Sequence, residues 1–68
     1  MSNSVYKTIE ITGTSPTDVA DAVRTAVAKA SETVRNIDWF EVVTIRGAVA
    51  EGAVATFQVT LKIGFRLD

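Results

Sequence analysis

The sequence predicts an α+β fold in which a three-stranded antiparallel sheet, with strand order 1-3-2, packs on one face against a single amphipathic helix. Three patterns support this prediction: a period-two strand pattern near the start, a helical apolar pattern in the first half, and two adjoining strand patterns in the second half. The element order is βαββ within one domain, residues 1–68. Placing the third strand between the other two makes every pair antiparallel and keeps the first connection right-handed.

Strand patterns occupy residues 5–12, 37–48 and 53–67, which are rich in β-branched, aromatic and alternating apolar residues. The second and third lie close enough together to form a long antiparallel hairpin, with Glu51 and Gly52 as a two-residue turn. Residues whose numbers sum to 103 then lie opposite one another, because 51 and 52 are the turn residues. This register pairs Glu41 with Lys62 as a salt bridge on the outer face. The apolar odd-numbered residues of the third pattern are expected to pack on the helix, and they are Phe57, Val59, Leu61, Ile63, Phe65 and Leu67.

The helix is predicted from Pro16 to about Arg35. Ser15 can cap its first turn, Pro16 suits the first helical position, and Asp18 follows three residues after the cap. The apolar face consists of small side chains, which lets the helix lie close to a sheet. The residues of this face are Val19, Val23, Ala26, Val27, Ala30 and Val34.

The composition indicates that this domain works within an oligomer. A chain of 68 residues buries only about 60% of the surface of its extended form. It has no cysteine or histidine to supply disulfides or the commonest metal ligands. Hydrophobic residues nevertheless make up 47% of the chain against 22% charged residues, so other subunits are expected to cover part of the apolar surface.

Charge and hydropathy exclude several classes of function. Seven basic and eight acidic residues give a net charge of -1 without a basic patch, so nucleic acid is not an expected partner. No apolar run approaches the roughly 20 residues that span a bilayer, and the first residues lack a signal-peptide pattern, which predicts a cytoplasmic protein without a membrane partner. Without histidine, cysteine, paired acids or a phosphate-binding loop, the chain is not expected to be an enzyme or to bind a metal.

Trp39 is the candidate that most needs an explanation. The register places it on the face of the sheet without a helix, opposite Gly64 and beside Glu41, Val43 and Ile45. Tryptophan is enriched at subunit interfaces, so one interpretation is that Trp39 anchors a neighbouring subunit. The alternative is that it forms a stacking platform for a planar ring.

Gln58 and Arg46 are the polar candidates. Gln58 is expected on the same face as Trp39, opposite Ile45, and its amide suits the edge of a heterocycle; it could equally be a solvated strand residue. It would lie roughly 20 Å from Trp39 along the strand, so one ring can reach both only if the site is built from different subunits. Arg46 points to the helix side and past the core edge to water, unless a bulge at Gly47 turns it into an anion clamp.

Taken together, the chain resembles the dodecin family from its first strand to its C-terminus. Four segments carry the resemblance: IEITGTSP at 9–16, DWFEV at 38–42, IRG at 45–47 and FQVTLKIGFRL at 57–67. The resemblance implies a hollow spherical dodecamer of βαββ subunits. It also implies that two flavins stack as a pair in each pocket, on a two-fold axis between subunits.

The resemblance further implies a set of site residues. Trp39 would stack on the isoalloxazine, Gln58 would hydrogen-bond its edge, and Ile45 would lie beside them. Arg46 would contact the phosphate-bearing side chain and favour FMN, with riboflavin and FAD as the other candidate flavins. Thr44 stands where archaeal relatives have an acid, which removes one reason to prefer riboflavin. A coenzyme A site near the three-fold axes would involve Tyr6, Lys7, Lys29 and Arg66, which by themselves look like scattered surface residues.

The function implied by the resemblance is storage and buffering of free flavin, with protection against photochemistry, and no catalysis. Two alternatives stay open. In the first, the protein is a purely structural oligomeric module in which Trp39 only joins subunits. In the second, it binds coenzyme A or another nucleotide cofactor without flavin.

Overall fold

A computed structural model describes residues 3–68 and confirms the βαββ order. The sheet order is β1-β3-β2, and both strand pairs are antiparallel, as predicted. Residues 1 and 2 of the predicted domain lie outside the described residues. The elements are strand β1 (Tyr6–Ser15), helix α1 (Val19–Ala30), strand β2 (Ile37–Ala50) and strand β3 (Ala53–Arg66).

Strand β1 continues three residues beyond its predicted end, because the long strand β3 offers ladder partners as far as Phe57. Gly13 pairs with Val59 within this extension. A Cβ atom on Gly13 would meet the carbonyl oxygen of Ala22 and lie 2.8 Å from the Cβ of Ala26. The glycine therefore does not end the strand; it lets the backbone of α1 approach the sheet.

Helix α1 begins three residues later than predicted. Its N-cap is Asp18, whose Oδ1 accepts a 2.7 Å hydrogen bond from the amide of Asp21. The predicted cap, Ser15, is instead the last residue of β1 and is buried. Its hydroxyl accepts from the amides of Thr17 and Asp18, at 2.9 and 3.3 Å, and donates to the Asp21 carboxylate at 2.7 Å. Ser15 thus fixes the turn before the helix.

The helix also ends before its predicted limit at Arg35. Ser31 is the C-cap, and both its amide and its hydroxyl bond to the carbonyl of Val27. The following residues make turns, and Asn36 has a positive φ of 65° directly before β2. The chain must reverse here to return to the sheet. The helix therefore ends earlier than its apolar periodicity predicts.

The core lies between α1 and the central strand β3. On the helix, Ala22, Ala26 and Ala30 are buried at a spacing of four residues, and Ala22 was missing from the predicted face. On β3, Val59, Leu61 and Ile63 are fully buried. These alternate positions confirm the predicted core side of the strand. Partly buried residues pack around this cluster and are Ile9, Ile11, Val19, Val23, Val27 and Ile37.

The hairpin matches its predicted register at both ends but not in the middle. Glu51 and Gly52 form the turn with positive φ angles of 53° and 78°, as expected for a two-residue hairpin. A bulge between Val42 and Thr44 then shifts the pairing by one residue until a second irregularity after Ala48. A one-residue shift moves side chains to the other face.

Strand β2 is exposed along nearly its whole length. Large apolar side chains on it remain open to solvent, including Phe40 at 51% and Ile45 at 57%. Helix α1 packs on β1 and β3, so it leaves strand β2 largely uncovered. The uncovered surface agrees with the expectation that other copies bury part of this chain.

Candidate functional site

The sheet face opposite α1, which we call the open face, carries polar residues from all three strands. Strand alternation and the pairing register arrange these residues in four levels across the sheet. The levels, each in the order β1, β3, β2, are Thr8, Gly64 and Trp39; Glu10, Lys62 and Glu41; Thr12, Thr60 and Thr44; and Thr14, Gln58 and Arg46.

Trp39 lies opposite Gly64 as predicted, and its indole covers the glycine. A Cβ atom on Gly64 would collide with the indole atoms Cε2, Cζ2 and Cδ2 of Trp39. The missing side chain therefore makes the space that the ring occupies. Trp39 is still 41% exposed, so the indole has surface left to contact another molecule. This arrangement is chemically suited to stacking.

Tyr6 and Asp38 support the same end of the open face. The ring centroids of Tyr6 and Trp39 are 6.4 Å apart with an interplanar angle of 44°. The hydroxyl of Tyr6 donates a 2.8 Å hydrogen bond to Oδ2 of Asp38. This bond, with some desolvation and the carboxylate charge, raises the pKa of Tyr6, against a lowering effect of Arg66.

The contact between Asp38 and Tyr6 was not predicted from the sequence. The register shifts between Ile37 and Trp39, so Asp38 has no partner on β3 and is free to meet Tyr6 from β1. An acid directly before a tryptophan was the only signal in the sequence, and it does not indicate a partner 32 residues away.

Arg46, Gln58 and Thr44 come together on the open face, which corrects three expectations: the partner of Gln58, the face of Arg46 and the face of Ile45. Gln58 lies opposite Arg46 and not opposite Ile45. Because of the bulge between Val42 and Thr44, Arg46 and Thr44 face the open side, while Ile45, opposite buried Val59, is turned to the helix side. The bulge that re-aims Arg46 therefore lies before it, not at Gly47.

Glu41 and Lys62 lie opposite each other as predicted, but their side chains do not form the expected salt bridge. The two ion pairs found among residues 3–68 are Lys29 with Glu32 and Arg35 with Asp68. Both members of each pair are largely exposed, so these contacts add little stability.

Trp39 and Gln58 lie far apart on the open face of one chain. Trp39 pairs with Gly64, and Gln58 is six residues from Gly64 on the same strand. At about 3.3 Å per residue this separation is roughly 20 Å. One small ring therefore cannot contact Trp39 and Gln58 of the same chain.

The four residues associated with coenzyme A are only partly brought together. Tyr6 lies opposite Arg66 on neighbouring strands. Lys7 is next to Tyr6 but is paired with Phe65 on the other side of the sheet. Lys29 is on α1, where it contacts Glu32 and borders an apolar cavity of about 360 Å³ between the helix and β1. That cavity is on the helix side and contains none of Trp39, Gln58 and Arg46.

Residues 3–68 contain neither a candidate membrane span nor a candidate metal cluster. No helix in this part of the chain is both long and apolar enough to cross a membrane. In the same residues, no group of three or more acidic side chains is placed to hold a metal ion.

Comparison with known proteins assigns the family. The dodecin family model matches residues 5–68. The curated dodecin of Thermus thermophilus is 47% identical over 64 residues, which cover 94% of this chain and 93% of that protein. The structure of dodecin from Streptomyces coelicolor has a TM-score of 0.94 at 54% identity and covers 100% of this chain and 97% of that chain.

A relative of lower identity carries calcium in its name. The structure of calcium dodecin from Mycobacterium tuberculosis, described as having a novel calcium-binding site, is 34% identical with a TM-score of 0.81, and the match covers 94% of this chain and 91% of that one. The agreement in sequence along nearly the whole chain and in the βαββ fold shows that the chain belongs to the dodecin family of small, homo-oligomeric ligand-binding proteins.

Proposed function

We propose that this protein binds FMN as stacked pairs between the subunits of a dodecamer, and so stores and shields flavin in the cytoplasm without catalysing a reaction. The observation that carries the proposal is the half-exposed indole of Trp39 over Gly64, on a sheet face that no other part of the described chain covers. A planar isoalloxazine has the shape and π-surface to stack there. Stacking of aromatic rings contributes about 0.5–1.5 kcal/mol beyond the burial of area.

The polar end of the open face suits the rest of an FMN molecule. Gln58 is half-buried, and its amide offers donors and an acceptor to the mixed polar edge of the flavin ring. Arg46 is beside it, and a guanidinium can bind a phosphate through two hydrogen bonds. Thr44 adds no negative charge near that phosphate. Ile45 remains a proposed neighbour through its backbone, since its side chain lies on the other face.

The distance between Trp39 and Gln58 supports a site shared between copies. Since about 20 Å separates them within one chain, a ligand that touches both must take Trp39 from one subunit and Gln58 from another. The exposed apolar residues of β2 supply surface that such an assembly would bury. The family resemblance supports a dodecamer as the assembled state.

Coenzyme A is a second candidate ligand, favoured by one observation. Tyr6 and Arg66 lie opposite each other, so an aromatic ring and a guanidinium are available at one place for an adenine and a phosphate. Lys7 could join them only from the other face of β1, and Lys29 only from a different copy. This site is proposed as an addition to the flavin site.

A calorimetric titration with FMN, riboflavin and coenzyme A separates these functions. We expect FMN to bind more tightly than riboflavin, because only FMN carries the phosphate for Arg46. A hydrogen bond to a charged group contributes about 1.5–3 kcal/mol, so Arg46→Ala should lower the FMN affinity roughly 10- to 150-fold. Riboflavin binding should change little.

Arg24→Ala is the matched control, because it removes the same charge from the exposed surface of α1. It should leave both flavin affinities unchanged. Heat with coenzyme A but with neither flavin would replace the proposal with a coenzyme A function. No heat with any of the three ligands would favour the purely structural module.

A further inference from the structure

We propose that Tyr6 and Asp38 together return oxidised Trp39 to its neutral indole: Tyr6 donates the electron, and Asp38 accepts the proton that Tyr6 then releases. Trp39, Tyr6 and Asp38 form a chain of contacts at one end of the open face: ring to ring, then hydroxyl to carboxylate. The pair would act whenever Trp39 loses an electron, whatever the oxidant.

The ring contact provides the path for the electron. With their centroids 6.4 Å apart and the planes tilted by 44°, the two rings are within the distance at which aromatic side chains interact directly. No other side chain has to carry the charge between them. The chain contains one tryptophan and one tyrosine, so no other side chain of these two types in the same subunit competes with this route.

The hydrogen bond provides the path for the proton. A phenol that loses an electron becomes strongly acidic and must release its proton. The Asp38 carboxylate accepts the phenolic hydrogen bond at 2.8 Å, which is within the distance required for direct proton transfer. A tyrosine phenol is protonated near neutral pH, and the hydrogen bond to Asp38 raises the pKa of Tyr6 further. Asp38 is thus positioned to accept the phenolic proton when Tyr6 is oxidised.

The step balances in electrons and protons. One electron leaves the Tyr6 ring and enters the Trp39 radical cation, which becomes the neutral indole. If the radical cation has already lost its Nε1 proton to water, the resulting indolyl radical takes up the same electron and regains that proton from water. The phenolic O–H bond breaks, and the proton forms a new O–H bond at Oδ2 of Asp38. Tyr6 becomes a neutral phenoxyl radical. The oxidant that first removes the electron from Trp39 is a one-electron acceptor, such as a photoexcited aromatic ligand stacked on the indole.

Pulse radiolysis with azide radicals as the oxidant tests the pair in ligand-free full-length protein. In wild-type protein, the indolyl absorption should decay while phenoxyl absorption grows at the same rate, and this rate should not depend on protein concentration. Tyr6→Phe keeps the ring that packs against Trp39 and should lose the phenoxyl signal, leaving a long-lived indolyl radical. Asp38→Asn should slow the transfer by on the order of 100-fold, because an amide cannot take up the proton.

An indolyl radical that decays equally fast in wild-type protein and in Tyr6→Phe would overturn the proposal. A transfer rate unchanged in Asp38→Asn would overturn the role of Asp38. Because no flavin is present, either result leaves the proposed function untouched. Conversely, failure to bind FMN would not alter this measurement.

Discussion

Trp39→Ala is expected to weaken FMN binding and to restore the fluorescence of the flavin that remains bound. Loss of one aromatic stacking contact costs about 1–3 kcal/mol, which corresponds to roughly 5- to 150-fold in affinity. The fluorescence should return because an indole in contact with an excited flavin can donate an electron and quench it. A fluorescence titration of FMN with the wild-type and variant proteins measures both effects.

The fold should survive this substitution. Trp39 is 41% exposed and is not part of the buried cluster formed by α1 and β3, so its removal creates no internal cavity. Trp39→Phe is the matched control, because it keeps a planar ring at the same position. We expect it to bind FMN with intermediate affinity and weaker quenching. Equal quenching by wild-type protein and Trp39→Ala at saturating protein would rule out stacking on this residue.

Gly64→Val should damage the same site without changing Trp39 itself. The new side chain occupies the space of the indole, so the ring must leave its position over β3. We expect FMN binding to fall about as much as in Trp39→Ala. Overpacking of this kind also costs about 1–3 kcal/mol in the free energy of unfolding, which urea denaturation measures.

Two further variants test whether the clash with the indole causes the defects of Gly64→Val. Thr8 lies opposite Gly64 on β1, and Thr8→Val adds a substitution of similar shape at the same level without a clash with the indole. It should leave FMN binding and stability nearly unchanged. The double variant Gly64→Val, Trp39→Ala removes the ring that clashes and should regain part of the lost stability. A Gly64→Val protein with full FMN affinity would show that the position of the indole is unimportant.

The sequence was sufficient for the element order, the sheet order and the Trp39 level of the open face. Alternation in β3 identifies Val59, Leu61 and Ile63 as buried, and this fixes the faces of its neighbours. The turn residues Glu51 and Gly52 then fix the register near both ends of the hairpin. These features depend on local patterns and on strand periodicity, which a sequence displays directly.

The middle of the hairpin could not be predicted in the same way. The bulge after Val42 has no glycine or proline to indicate it, yet it exchanges the faces of Ile45 and Arg46. The sequence suggested Gly47 as the place where a bulge would re-aim Arg46, because glycine often marks a bulge. Gly47 is needed for a different purpose, since a Cβ atom at this position would collide with the carbonyl oxygen of Thr56. The hydrogen bond from Tyr6 to Asp38 was also hidden, because it joins distant parts of the chain.

The saturation point of FMN quenching in the assembled wild-type protein tests the central claim most directly. Each chain has one tryptophan, and a pair of flavins between two subunits gives each flavin its own Trp39. The account predicts that added FMN is quenched up to one equivalent per chain, with a sharp break to full fluorescence beyond it. FMN that stays fully fluorescent at every ratio, or a break far from one equivalent per chain, would contradict it.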